Sequence, residues 1–187
     1  DLIMNFSKLA HIRQSVRAYK NDKVEREKIE NCLEAARVAP SACNSQPWEF
    51  VVVDEPELKE KVARETFGKI VSFNHFTMQA PVLIVVITGD SNFTATIGNI
   101  VKNKQFNRID IGIAVENFCL QATEENLGTC ILGWFDEKAV KKLLNIPRHK
   151  RIDLIITLGY PKTEEIRPKI RKSLDQIRSY NSYRKTE

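Results

Sequence analysis

The chain has 187 residues, 42% of them hydrophobic and 28% charged, with a formal net charge of +5. That length favours one domain, here taken as 1–187, with a sizeable core. No run reaches the roughly 18 apolar residues that span a bilayer, and the longest, "APVLIVVI" at 80–87, has the length of a strand.

The opening "DLIMNFSKLAHIRQ" has no basic leader followed by an apolar block, so no signal peptide is expected. "RQSVRAY" at 13–19 reads as extended, so that Arg13, Ser15 and Arg17 project to one side. Two guanidiniums and a hydroxyl there suit a phosphate, or simply form an exposed polar edge. Residues 24–38 place Ile29, Cys32, Leu33 and Ala36 on one helical face, and Pro40 closes the pattern. The connection "APSACNSQPW" at 39–48 is richer in hydrogen-bonding groups than a helix-to-strand link requires. Pro40, Ser41 and Asn44 offer carbonyl, hydroxyl and amide groups. A binding turn and a plain helix-terminal turn anchored by Trp48 both fit.

A short buried strand at 49–53, a helix at 56–65 with proline in its first turn, and a strand at 81–89 follow. Residues 90–107 are polar and aperiodic, a variable excursion. The longest helical pattern, 108–128, is apolar around most of its circumference, as for a helix buried in a core or in a subunit interface. Gly128 is expected to cap it. "TCILGWF" at 129–135 reads as a strand interrupted by Gly133, where a ligand approaches closely or the strand bulges. A helix at 136–145 begins with acids, and 151–161 has a central-strand pattern.

Residues 160–187 carry eight Lys/Arg against four Asp/Glu, so nearly all the net charge lies in the tail. In "IRPKIRKSL", Lys169 and Arg171 alternate and share a side, which fits a solvated tail or an anion site. The tail's aromatics, Tyr160, Tyr180 and Tyr183, are too sparse for base stacking, so no nucleic acid is expected. The class is α+β or α/β with a small sheet. Neither a G-x-G-x-x-G after the first strand nor a P-loop is present. Four cysteines without a C-x-x-C pair, beside three histidines, argue against zinc. A core of this size needs no disulfides, so all four read as reduced packing residues of a cytoplasmic protein.

In this order, "RQSVRAY", "APSACNSQPW", "DIGIAVENFCLQATEENLGTCILGWFDE", "ITLGYP" and "RPKIRKSL" resemble the FMN-dependent nitroreductase family, from about residue 8 to about residue 175. The resemblance implies an α+β homodimer with a mixed central sheet flanked by helices, and FMN at the interface touched by both chains. By matching positions, Arg13 and Ser15 fall on residues of the FMN phosphate and ribityl chain, and Gln14 between them belongs to the cofactor site. Arg17 matches a basic residue near the flavin N1/O2 edge, where positive charge stabilises the anionic reduced ring. Pro40, Ser41 and Asn44 match residues that reach FMN from the other subunit. Ala42, in the same run, stands where some members carry a hydroxyl. Leu132 and Gly133 match a strand whose backbone N–H groups approach the N5/O4 edge, although some members have glutamate in place of Leu132. Lys169 and Arg171 match a basic pair on the phosphate.

The implied activity is ping-pong. NADH or NADPH reduces FMN, which then reduces a nitroaromatic, quinone or similar conjugated acceptor, with no protein acid, base or nucleophile. The alternative is an FMN-binding relative with other chemistry, such as dehalogenation, or one that sequesters flavin. Segments 66–78 and 90–107 would line the cavity. Phe73, Phe76 and Phe106 would stack on substrate or pack, and His75 reads as a surface residue.

Overall fold

The order of layers follows from one strand. In the computed structural model, which describes residues 5–68, 72–89 and 106–183, β2 (Val82–Thr88) is buried along almost its whole length. Side chains alternate faces along a strand. Val82, Ile84 and Val86 therefore enter one core, and Leu83, Val85 and Ile87 enter another. A strand covered on both faces must be continuously apolar, which explains "VLIVVI".

β2 is flanked by β1 (Trp48–Val53) and β4 (Arg151–Gly159), and β4 by β3 (Gly128–Leu132), in the order β1-β2-β4-β3. The three ladders are antiparallel. The parallel component of the expected mixed sheet is reduced, among the described residues, to one bridge between Ser15 and Thr129. Helices α2 (Arg26–Arg37) and α4 (Phe106–Glu124) supply Ile29, Cys32, Val115 and Phe118 to the first core. Helices α3 (Pro56–Arg64) and α5 (Glu137–Leu143) supply Val62 and Val140 to the second.

Local chemistry explains the helix starts. Glu55 accepts from the backbone N–H groups of Glu57 and Leu58 ahead of α3, and Asp136 accepts from Ala139 ahead of α5. A helix absent from the sequence reading, α1 (Phe6–Ile12), begins where the Asn5 side chain accepts from Lys8 N at 2.9 Å. It stops where Arg13 turns to φ −55°, ψ 127°. A last short helix, α6 (Leu174–Ile177), sits in the exposed tail.

Several expectations are corrected. Gly128 does not cap α4; Asn126 takes the left-handed conformation (φ 62°), and Leu127 N donates to Ala122 O at 2.7 Å. Gly128 instead opens β3. Gly133 does not interrupt that strand but follows its end at Leu132. Cys32, Cys119 and Cys130 are buried packing residues, but Cys43 is exposed. Phe76 belongs to the second core, whereas Phe73 is 69% exposed and Phe106 half-buried. His75 is exposed, as expected, and stacks on Phe67, ring centroids 3.9 Å apart. The excursion at 90–107 lies almost wholly outside the described residues. Within the described residues, no helix is long and apolar enough to cross a membrane.

Candidate anion and cofactor site

Segment 13–20 is stitched to the sheet edge by its backbone. Val16 N donates to Thr129 O at 2.8 Å, Lys20 N to Tyr160 O at 2.9 Å, and Lys162 N to Ala18 O at 2.9 Å. Tyr19 locks the strip from beneath, its hydroxyl 2.6 Å from Thr157 Oγ1 and donating to Val16 O at 2.8 Å. Burial raises the Tyr19 pKa far above the ordinary phenol value, so it stays neutral. The strip comes this close because Gly128 has no side chain: a Cβ there would lie 2.6 Å from Val16 Cγ2.

The tail then folds back over this strip. Gln14 Nε2 donates to Glu165 O at 2.8 Å, and Arg167 N and Nε donate to Gln14 Oε1, each at 3.2 Å. Arg167 also donates to Ser15 O. Lys169 Nζ donates to Arg13 O at 2.6 Å and to His11 O. The result is a groove of about 310 Å³. All six residues singled out in the two segments, Arg13, Gln14, Ser15, Arg17, Lys169 and Arg171, line it together. Arg167, passed over in the sequence reading, lines it too, although its spacing with Lys169 and Arg171 already put it on their side.

Five basic residues and no carboxylate line this groove. Lys169 feels the crowding: burial, with Arg171 and Arg13 beside it, holds its ammonium below the ordinary lysine value. Arg13 pairs at 3.1 Å with Glu116 on α4, while its Nε is buried without a hydrogen-bond partner among the described residues. An unsatisfied buried donor and a cluster of five cations, of which Arg13 is paired with Glu116, fit a phosphate-bearing ligand. Ser15 adds a hydroxyl to the same lining.

The other predicted residues lie elsewhere. Pro40, Ser41, Ala42 and Asn44 do not line the groove. They form a separate arm containing a short helical turn, Ala42–Asn44, in which Ser41 Oγ accepts from Gln46 N at 2.9 Å. Cys43, Asn44 and Gln46 all have positive φ, at 51°, 55° and 46°. Sparsely populated backbone of this kind costs on the order of 1–3 kcal/mol per residue and concentrates at functional sites. Leu132 is buried in the second core, so its side chain packs rather than binds. Gly133 beside it is exposed, with nothing within 4 Å of where a Cβ would point. On α4, Ile109 and Ile113 are 55% and 38% exposed beside Gly112, an apolar face, opposite the helix's core face, that none of the described residues buries. The thiols contribute no nucleophile to the groove: burial pushes Cys32 up to about 12 and raises Cys119 and Cys130 as well.

The described residues form an antiparallel α+β fold with a cationic groove at its sheet edge. Comparison with known proteins gives the family: the Nitroreductase family profile matches residues 11–160, and the chain belongs to that family. It is 32% identical over 163 residues to a protein of Archaeoglobus fulgidus assigned by name to NADH dehydrogenase/NAD(P)H nitroreductase activity, covering 84% of this chain and 86% of that one. It is 28% identical to an iodotyrosine deiodinase of Thermotoga neapolitana, over 94% and 97% of the two chains. The solved structure of an FMN-dependent nitroreductase from Clostridium difficile superposes with a TM-score of 0.73 at 26% identity, over 94% of this chain and 98% of that one.

Proposed function

We propose that the protein is a cytoplasmic, homodimeric FMN-dependent oxidoreductase that passes reducing equivalents from NADH or NADPH to a nitroaromatic, quinone or similar conjugated acceptor. The observation that carries this is the groove, where two segments some 150 residues apart in sequence bring five cations around Ser15. Bound FMN would supply the hydride chemistry, accepting from the nicotinamide and delivering to the acceptor. Arg13, Lys169 and Arg171 would hold the phosphate, and Gln14 and Ser15 the ribityl chain. Arg17 would place positive charge by the ring edge that becomes anionic on reduction.

The exposed backbone at Gly133 would face the opposite ring edge, leaving Leu132 to anchor that strand. Pro40, Ser41, Ala42 and Asn44 would reach the cofactor of a second copy, in keeping with their distance from this chain's own groove. The apolar face at Ile109 and Ile113 would be the ground of that dimer. Four free thiols, three of them buried, support a reducing compartment.

The purified protein is expected to be yellow and to have its flavin bleached anaerobically by NADH or NADPH, then restored by a nitroaromatic or quinone. A bound flavin that neither nucleotide reduces would exclude this activity. The likeness to a deiodinase over nearly the full chain supports a second reading, reductive dehalogenation. Release of iodide from an iodinated phenol by the chemically reduced protein would favour it.

A further inference from the structure

Asp110 is only 4% exposed, yet it does not line the groove. It lies on α4, and both its carboxylate oxygens are 3.2 Å from the backbone nitrogen of Ala42, which donates to them. Ala42 begins the turn in which Asn44 N donates to Ser41 O at 3.0 Å and Ser45 N to Ala42 O at 3.1 Å. Gln46 closes the same unit, its Nε2 donating to Asn44 Oδ1 at 3.0 Å. The arm is thus an internally hydrogen-bonded unit with three left-handed residues, and Asp110 ties it to the helix through the Ala42 amide.

Six positions along α4, Glu116 pairs with Arg13 of the groove. One helix therefore registers both the arm and the arginine. A carboxylate this buried is retained at a desolvation cost that its hydrogen bonds must offset.

We propose that Asp110 is a positioning residue: it clamps the Ala42 amide so that Ser41 and Asn44 are presented in one fixed geometry to the cofactor of the partner subunit. The cofactor clause rests on the function proposed above. Asp110 itself would not touch FMN.

Cys43 offers a reporter inside the arm. It is exposed, whereas the other three cysteines are buried. The test compares the unaltered full-length protein with Asp110→Ala and Asp110→Asn by thiol labelling with a chromogenic disulfide and by FMN titration. Asp110→Ala is expected to label one thiol, faster than the unaltered protein, and to bind FMN about tenfold or more weakly, the loss typical of a hydrogen bond to a charged group. Asp110→Asn keeps an oxygen acceptor for Ala42 N and is expected to restore both values to within about threefold.

Unchanged labelling and FMN affinity in Asp110→Ala would overturn the proposal. So would labelling of all four thiols, which would mean that Asp110 holds the fold as a whole. If the unaltered protein binds no FMN but Cys43 still reacts faster in Asp110→Ala, the cofactor reading fails and the clamp stands.

Discussion

Gly128 and Val16 are packed so closely that no side chain fits between them: a Cβ on Gly128 would lie 2.6, 2.8 and 2.9 Å from three carbons of Val16. Val16 is β-branched and cannot swing aside cheaply. The backbone contact that this closeness permits, Val16 N to Thr129 O at 2.8 Å, seats the strip carrying Arg13, Ser15 and Arg17. Gly128→Ala is therefore expected to cost about 1–3 kcal/mol of stability through overpacking and to weaken FMN binding as the strip shifts. Adding Val16→Ala removes the contacts to Cγ1 and Cγ2 but leaves Val16 Cβ 2.8 Å from the new Cβ, so it should recover only part of both. Thermal unfolding and flavin titration of the single and double variants check this.

Lys169 and Arg171 are expected to behave differently although they sit two residues apart. Lys169 already donates to the carbonyls of His11 and Arg13, so Lys169→Ala should lower both stability and FMN affinity. Arg171 donates within the described residues only to Ile170 O, at 2.8 Å. Arg171→Ala should leave the melting temperature unchanged and weaken FMN by roughly tenfold or more, the typical value for a charge-assisted hydrogen bond, with a shallower salt dependence. FMN affinity unchanged in Arg171→Ala at low and moderate salt would count against the phosphate role.

The pH dependence of binding follows from the lowered Lys169 pKa, set first by burial and then by Arg171 and Arg13. A phosphate beside it favours the charged ammonium, so binding raises that pKa again. Affinity is then full while Lys169 is protonated in the free protein and falls as pH rises through the depressed value. Lys169→Arg stays charged throughout and should flatten this alkaline decline. Flavin titrations from neutral to alkaline pH read both curves.

Ile113→Asp places a charge on the exposed apolar face of α4 without disturbing its core face. If that face is the dimer ground, the variant should sediment as a monomer and lose most of its FMN, because on the proposed function the arm of one copy would complete the site of the other. A monomer that still holds FMN as tightly as the unaltered protein would show that one chain suffices.

Much of the fold could be read from local pattern. The continuous run in β2, the proline that opens α3 and the acids that open α5 follow from side-chain period and termini chemistry, which neighbouring residues carry among themselves. α1 was missed because seven residues with one buried position, Leu9, leave almost no periodic signal. Gly128 reads as a cap because glycine after a helix has that as its commonest use. Its actual neighbour, Val16, is more than a hundred residues away and invisible to any local rule. Asp110 and Glu116 were passed over for the same reason: on a long apolar helix an acid reads as solvated until its partner is known.

What the sequence determined alone was chemical: an alternating Arg–Ser–Arg strip, a basic tail, and a helix apolar around most of its circumference. These are properties of residue type and spacing, and they survive whatever the chain does next. Only the tertiary structure decided which of them meet. The pairing of segment 13–20 with β3 and of the tail with that segment places the cations in one groove, while the same packing holds Pro40, Ser41, Ala42 and Asn44 away from it. Such meetings are set by strand register and by clearances of a few ångströms between distant residues. Composition and period do not encode those quantities.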